Sequence, residues 1–467
     1  MRHDLPTMAE IFLDSGYRTG HFGKWHLGDS YPHRPLDRGF EETIHHGAWA
    51  ITSIADFWGN DYWDDTYKHN RKLERYQGNC TDVWFDEAMA WMKKPKDAGQ
   101  PFFCYLPTNY PHSPHWADKS YLAPYEREGL PTGFFWQIAN IDDNMGRLVD
   151  MLEATGLAEN TIVIFMTDNS TARGDHVFNT GMRGNKTELW EGGHRVPFWI
   201  RWPAGGVGKP RDIDELTHSQ DLLPTLIDLC ALSRPDGATF DGVILTGLLR
   251  GTQTQLAHRK LVVQYGEPKK WECAVLWKKW RLVGFDQLYD LRTDPHQDKN
   301  IAADYPEVLK ALRDHYKTWW SSAIEEYQRV KYLHIGSERS NPMVFYSSDW
   351  KGAHADNFNQ MAEGNRIGYW DVVVEAGGEY EFKLLRWPIE SRTPLAGPMG
   401  KGKAVPIAKT RLKIGNVDVT QETSDGDTHA TFHVELKKGK TRVYTWFLDK
   451  DGKELCSGYQ SVVRWKP

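Results

Sequence analysis

The sequence predicts an α/β domain built on a doubly wound sheet with helices on both faces, followed by a β-rich region. Two observations predict the first part: amphipathic helices run through short glycine-ended loops into strands near the N-terminus and again after Pro131. A third predicts the second part, because beyond "SERSNP" the texture changes to strict alternation broken by turns. The chain has 467 residues, enough for a large α/β domain and a smaller appendage. The expected domains are therefore residues 1–340 and 341–467, the latter sandwich-like.

Each element has its own signal. Thr7 and Glu10 form a T-x-x-E capping box for a helix ending at Gly16, and "YRTGHFGKWHLG" then reads as a strand entering a loop. From Pro131, Phe135, Ile138, Ile141, Met145, Leu148 and Leu152 recur at three- and four-residue spacings before Gly156, and "TIVIFMTDN" comes next as a buried strand. Such helix–strand units favour a parallel sheet, whose ligands bind beyond the carboxyl ends of strands. "VPFWIRWP" reads as a further buried strand, "SQDLLPTLIDLCAL" as a helix tolerating Pro224 near its first turn, and "YPEVLKALRDHYKTWW" as a last amphipathic helix.

Composition narrows the function. A net charge of −6 with a pI near 6.3 argues against a nucleic-acid or anionic-membrane partner. The longest apolar runs are strand-sized, far short of a bilayer span, and "MRHDLPTMAEIF" enters a helix without a basic, apolar leader. The five cysteines are scattered without a CxxC pair, unlike a disulfide framework or structural zinc site. The 21 tryptophans suit sugar faces or, as the plainer alternative, core packing.

Four segments carry chemistry. In "GKWHLG", Lys24 and His26 are two apart, so an extended backbone turns both to one side and Trp25 to the other. A cation beside an imidazole suits an anionic substrate, and a solvated strand face is the alternative. "MTDNS" puts Asp168 and Asn169 just past a strand, half of a hard-cation site or an Asx turn. "NYPHSPHWA" offers His112 and His115 in a proline-stiffened loop, and "MRGNKTELWEGGHRVP" sets Arg183 and Lys186 among glycines as an anion cradle or a flexible loop.

Together these segments, with "NIDDNMGRLVDMLEATGLAENTIVIFMTDN" and "LYDLRTDPHQDKNIA", resemble the sulfatase family of the alkaline phosphatase superfamily, over nearly all of the chain up to Trp320. The resemblance implies an alkaline-phosphatase-like doubly wound mixed sheet with helices on both faces, plus a C-terminal β-rich domain. It implies hydrolysis of sulfate esters on a sulfated small molecule or glycan, with a divalent cation, most often Ca²⁺, and a formylglycine nucleophile made from Cys or Ser in C/S-x-P/A-x-R. By position, Lys24 would hold sulfate and nucleophile, and His26 would help break down the sulfated intermediate. His112 would contact sulfate and leaving oxygen, Lys186 would be a second sulfate cation and proton donor, and Asp168 and Asn169 would be metal ligands. The family's Asp-Asn-Gly is Asp-Asn-Ser here, a change at Ser170 expected to act mildly. Trp49, Tyr62, Trp63 and His115 are candidates for a sugar subsite or for scaffold packing.

In the family an aspartate pair and the nucleophile motif precede the "GKWHLG" segment, whereas fifteen residues precede Gly16 here. The expectation is that the first βα units and the nucleophile lie outside this chain, which then folds poorly or binds metal weakly by itself. By family, a periplasmic or extracellular location is expected if a signal peptide lies upstream. Two further readings stand beside sulfate-ester hydrolysis: a phosphonate or phosphodiester hydrolase of the same superfamily, and a non-catalytic protein binding sulfated glycans.

Overall fold

A computed structural model describes residues 2–118, 123–127 and 129–467. The chain forms two compact units, one of residues 1–112 with 330–467 and one of residues 113–329. In the first unit, α1 (Met8–Asp14) starts at the capping box: Thr7 Oγ1 accepts from the Glu10 N–H at 3.2 Å, and Glu10 Oε2 accepts from the Thr7 N–H at 2.6 Å. β1 (Arg18–Lys24) lies between two parallel neighbours, β2 (Glu42–His46) and β5 (Phe102–Tyr105). β3 (Thr66–His69) and β4 (Lys72–Arg75) add antiparallel beyond β2, so the sheet is mixed.

Alternation along β1 aims its side chains at two layers. Phe22 packs on Trp91 of α2 (Cys80–Asp97), which also closes over Gly20, while His21 turns to Trp25 and Phe40, in the layer that holds Ala9 of α1. Helices thus cover both faces.

In the second unit, α3 (Thr132–Ala154) starts after Pro131, but its buried face is rotated from the predicted stripe. Gln137 is 0% exposed and Ile138 41%. The polar residue goes inside because it is satisfied: its Nε2 donates to Pro114 O at 3.2 Å, and its Oε1 lies 2.9 Å from His115 Nδ1. A larger difference concerns β6 (Val163–Met166), predicted as a buried parallel strand. It pairs antiparallel with β7 (Phe198–Arg201) in a two-stranded ribbon, all four of its residues are half-buried, and Trp199 is 63% exposed. An apolar run sets a demand for burial without naming the neighbour that meets it.

The rest of this unit includes the short helices α4 (Glu191–His194), α5 (Leu222–Leu229) and α6 (Thr246–Arg250). The antiparallel sheet β11 (Gln287–Asp290)–β10 (Trp280–Val283)–β9 (Cys273–Trp277)–β8 (Leu261–Gln264) packs on Leu312 and Tyr316 of α7 (Pro306–Gln328). α5 begins one short 3-10 turn after Ser219, with Asp221 Oδ2 accepting from the His218 N–H at 2.8 Å.

Residues 330–467 add two facing sheets to the first unit. One runs β12 (Leu333–Ile335), β15 (Gly368–Val374), β20 (Gly439–Leu448), β17 (Lys409–Ile414), β18 (Val417–Glu422), with β14 (Lys351–Gly352) and β21 (Glu454–Cys456) pairing to β15 and β20. The other runs β13 (Met343–Tyr346), β22 (Gln460–Lys466), β16 (Gly378–Leu385), β19 (Ala430–Leu436). Their inner faces share one core around Trp370, Phe345 and Phe382, as in a sandwich. Tyr31, Ala48, Ile54 and Ala55 enter the same core, so the β-rich region and the first 112 residues fold as one unit. Trp84, Trp370 and Trp387 are fully buried, in line with core packing, and the five cysteines are free thiols. Among the described residues, no helix is long and apolar enough to cross a membrane.

Candidate functional site

The candidate residues fall into two groups, one in each unit. In the first unit, Lys24 is the last residue of β1, and its N–H donates to Pro107 O at 2.8 Å. Gly23 before it sits at φ +124°, where a Cβ would come within 2.1 Å of Pro107 O, so glycine is required for the strand to approach the segment after β5. Lys24 is half-buried, His26 is exposed, and Trp25 between them is buried with its indole N–H donating to His33 O at 2.9 Å. His112, seven residues past the end of β5, is half-buried, and its ring lies 5.4 Å from that of Trp49. Tyr62 is completely buried and packs edge-on against Tyr110, with its hydroxyl 3.5 Å from His112 O. It is scaffold, and Trp49 is the subsite candidate that lies beside an imidazole.

Beside Lys24 on β2 sits His46, whose Nδ1–H reaches Gly47 O at 2.8 Å while Nε2 accepts from Asn109 Nδ2 at 2.6 Å. Asn109 is oriented in turn by the Trp84 indole N–H at 2.8 Å. This neutral tautomer leaves no room for a second ring proton, and burial holds the His46 pKa down at about 3.

In the second unit, Asp168 and Asn169 come directly after β6. Asp168 is exposed, with Oδ1 accepting from the Asn169 N–H and Oδ2 from Asn169 Nδ2, both at 3.0 Å. The next residues bind back to the glycine-rich segment: the Ser170 N–H donates to Gly193 O at 3.4 Å and the Lys186 N–H to Thr171 O at 2.7 Å. These bonds bring Lys186 to the Asp-Asn turn. Ser170 lies outside the left-handed region, so the glycine usual at its position is not required here.

The Lys186 segment is a tightly bonded cradle instead of a flexible loop. A Cβ on Gly193 would stand 2.0 Å from Glu188 O, and the Gly192 N–H donates to Arg183 O at 2.8 Å. Glu191 anchors it: its carboxylate accepts from Arg281 Nε at 2.5 Å, with both side chains at most 7% exposed, and its N–H donates to Gln297 Oε1 at 2.8 Å. His115 belongs to the packing of this unit, against Gln137 and the ring of Phe134.

Sequence reasoning missed a cluster of ionisable side chains in the first unit. Asp29 Oδ1 accepts from the N–H of Ala48, next to Trp49, at 2.8 Å. Lys68 lies 5.1 Å above the Tyr346 ring, and Ser30 Oγ donates to Val344 O at 2.8 Å beside Asp349 Oδ2 at 3.3 Å. Burial first, and the Asp29 charge second, push Asp349 above the usual carboxylate range. Three regions far apart in sequence meet here, and no local pattern announces them. The same place holds a motif that the sequence reading passed over. Ser30-Tyr31-Pro32-His33-Arg34 satisfies S-x-P-x-R literally, but it comes after "GKWHLG", and Ser30 is 1% exposed with its hydroxyl committed to the β-rich sheet. It does not fit a nucleophile.

The cation fits only in part. Asp168 and Asn169 are hard oxygen ligands, but Ca²⁺ takes about six to eight, and among the described residues no group of three His, Cys, Asp or Glu is placed to hold a metal. The two residues do not complete a site.

Comparison with known proteins decides the lineage. Residues 1–231 match the Sulfatase family model, and residues 184–319 match N-sulphoglucosamine sulphohydrolase, C-terminal. Residues 1–231 are thus a sulfatase-family segment.

Among relatives, the N-acetylgalactosamine-6-sulfatase of Canis lupus familiaris is 28% identical over 264 residues, 54% of this chain and 49% of the relative. The Uncharacterized sulfatase YdeN of Escherichia coli K12 is 27% identical over 277 residues, 54% and 48% of the two chains. The chain thus spans about half the length of these curated relatives. Among solved structures, Ps i-CgsB in complex with k-i-k-neocarrahexaose matches with a TM-score of 0.60 at 21% identity, covering 67% of this chain and 73% of that one. PsFucS1 sulfatase from Pseudoalteromonas sp. matches at 0.57 and 18%, covering 70% and 74%. These likenesses establish the alkaline-phosphatase-like fold.

Proposed function

We propose that the chain acts in recognition and hydrolysis of sulfate esters on sulfated carbohydrates. The observation that supports it most is topological: Lys24 ends β1, and His26 and His112 follow the carboxyl ends of two adjacent parallel strands, β1 and β5. That is where open α/β sheets place their ligands. In this reading Lys24 binds sulfate oxygens as a fixed cation, His26 takes a proton from a water that attacks sulfur, and His112 gives a proton to the leaving oxygen, so the ester S–O bond breaks as the new S–O bond to water forms. Lys186 is a second cation for sulfate, and Asp168 and Asn169 offer two oxygen ligands to a divalent cation, which would neutralise sulfate charge when bound. Trp49 offers a ring face to a sugar beside His112.

A second reading, binding of sulfated glycans without turnover, is favoured by one observation: the S-x-P-x-R serine is buried. One assay separates them. The protein, supplied with Ca²⁺, is given N-acetylgalactosamine 6-sulfate and the matching 6-phosphate. Release of sulfate in preference to phosphate, lowered about 100-fold or more in Lys24→Ala, supports hydrolysis. Binding of the sulfate ester without release supports the second reading, and preference for the phosphate overturns both.

A further inference from the structure

The sheet β12–β15–β20–β17–β18 has an outer face that the sulfatase reading does not use. Its inner face carries Trp370, Val372, Leu412, Val443 and Phe447, all 0% exposed. The outer face of such a sheet is ordinarily polar, but here aromatic rings and cations interleave across three strands. Tyr369 pairs with Tyr444, and the Tyr444 and Trp446 rings lie 5.5 Å apart with planes 6° from parallel. Arg442 lies 4.9 Å over Tyr369, Arg411 5.0 Å over Trp446, and Lys440 4.9 Å over Tyr332.

Next to Tyr444 the face opens into a concavity of about 360 Å³ lined by Tyr332, Asp371, Lys413, Lys440, Arg442 and Tyr444. Three cations and the Asp371 carboxylate line it, with Asp418 Oδ2 3.9 Å from the Lys413 ammonium beside it, on a chain whose net charge is −6. Asp371 is engaged by Arg442 Nε at 3.0 Å. Arg442 and Lys413 are 53% and 47% exposed, so their charges face water.

We propose that this face is a second, non-catalytic binding site for a sulfated polysaccharide. The parts of these half-buried rings left open to solvent pack against the apolar CH groups of a sugar chain, while Lys413, Lys440 and Arg442 donate to sulfate oxygens on it. The spacing of cations among aromatic planes suits a polymer better than a single ion. The choice of a sulfated glycan over other polyanions rests on the sulfate-ester reading above; the existence of the site does not. It would hold a long substrate or its matrix near the chain and raise the local concentration of esters.

The test is affinity electrophoresis of the full chain through gels containing chondroitin sulfate, hyaluronan or polyadenylate. Retardation by chondroitin sulfate alone is expected. Lys413→Glu/Lys440→Glu is expected to weaken it about tenfold or more, and Lys413→Gln/Lys440→Gln, a milder surface change, to weaken it by less. Tyr444→Ala should also weaken it, by loss of the ring face. Lys24→Ala/Lys186→Ala should leave retardation intact, and that arm separates this site from the catalytic reading. The proposal is overturned if wild type is not retarded, if the Lys413 and Lys440 variants keep full retardation while folded by circular dichroism, if Lys24→Ala/Lys186→Ala abolishes it, or if polyadenylate or hyaluronan retards equally.

Discussion

β1 and β6 both deliver candidate site residues from their carboxyl ends, and their surroundings differ sharply. β1 has a parallel neighbour on each side, and five of its seven residues are buried. β6 has one antiparallel partner and four half-buried residues. The means of placing the site groups differ accordingly. Lys24 is placed by the strand itself, whereas Asp168, Asn169 and Lys186 are placed by loop-to-loop bonds and by the buried Glu191–Arg281 pair. A site group is held either by the sheet or by a substitute for it, and the two kinds of support fail in different ways.

The largest expected effect breaks the substitute. Arg281→Ala leaves the buried Glu191 carboxylate with only the exposed Arg195, 3.9 Å away, and His194 beside it, at a cost of about 3 kcal/mol. Hydrogen exchange should rise in residues 183–194 and stay unchanged in β1; equal loss in both would mean that the two supports are not separate. Gly23→Ala attacks the sheet-held group instead. Its Cβ would clash with Pro107 O at a left-handed backbone position, a loss of about 1–3 kcal/mol in thermal unfolding with exchange rising at β1 and residues 105–109.

A smaller, pH-dependent effect belongs to the first unit. His46 binds its proton at about 3 when folded and at about 6.5 when unfolded. Between those values the unfolded chain binds more protons, so stability is fully present above the unfolded pKa and is lost as pH falls. From pH 7 to 5 this group removes about 2 kcal/mol, and His46→Gln should flatten the slope of denaturant stability against pH by that amount. An unchanged slope would show that His46 is charged in the folded state.

Legibility in the sequence tracks the range of the interaction. The Thr7–Glu10 capping box, α3 with its glycine stop, and the alternating strands of the sandwich are local patterns, and each appears where it is predicted. The family was legible because its motifs are contiguous strings. The features that were not legible depend on distant partners. Gln137 is buried because His115 and Pro114 satisfy it. β6 stays half-buried for want of a second neighbour among the described residues. Asp29, Lys68 and Asp349 meet only because residues 330–467 fold onto the first 112.

The central proposal is that Lys24 recognises the sulfate group itself, and calorimetric titration with N-acetylgalactosamine 6-sulfate against N-acetylgalactosamine tests it most directly. The account predicts binding of the sulfated sugar only, weakened about tenfold or more by Lys24→Ala. Equal affinity for both sugars, or binding indifferent to that substitution, would contradict it.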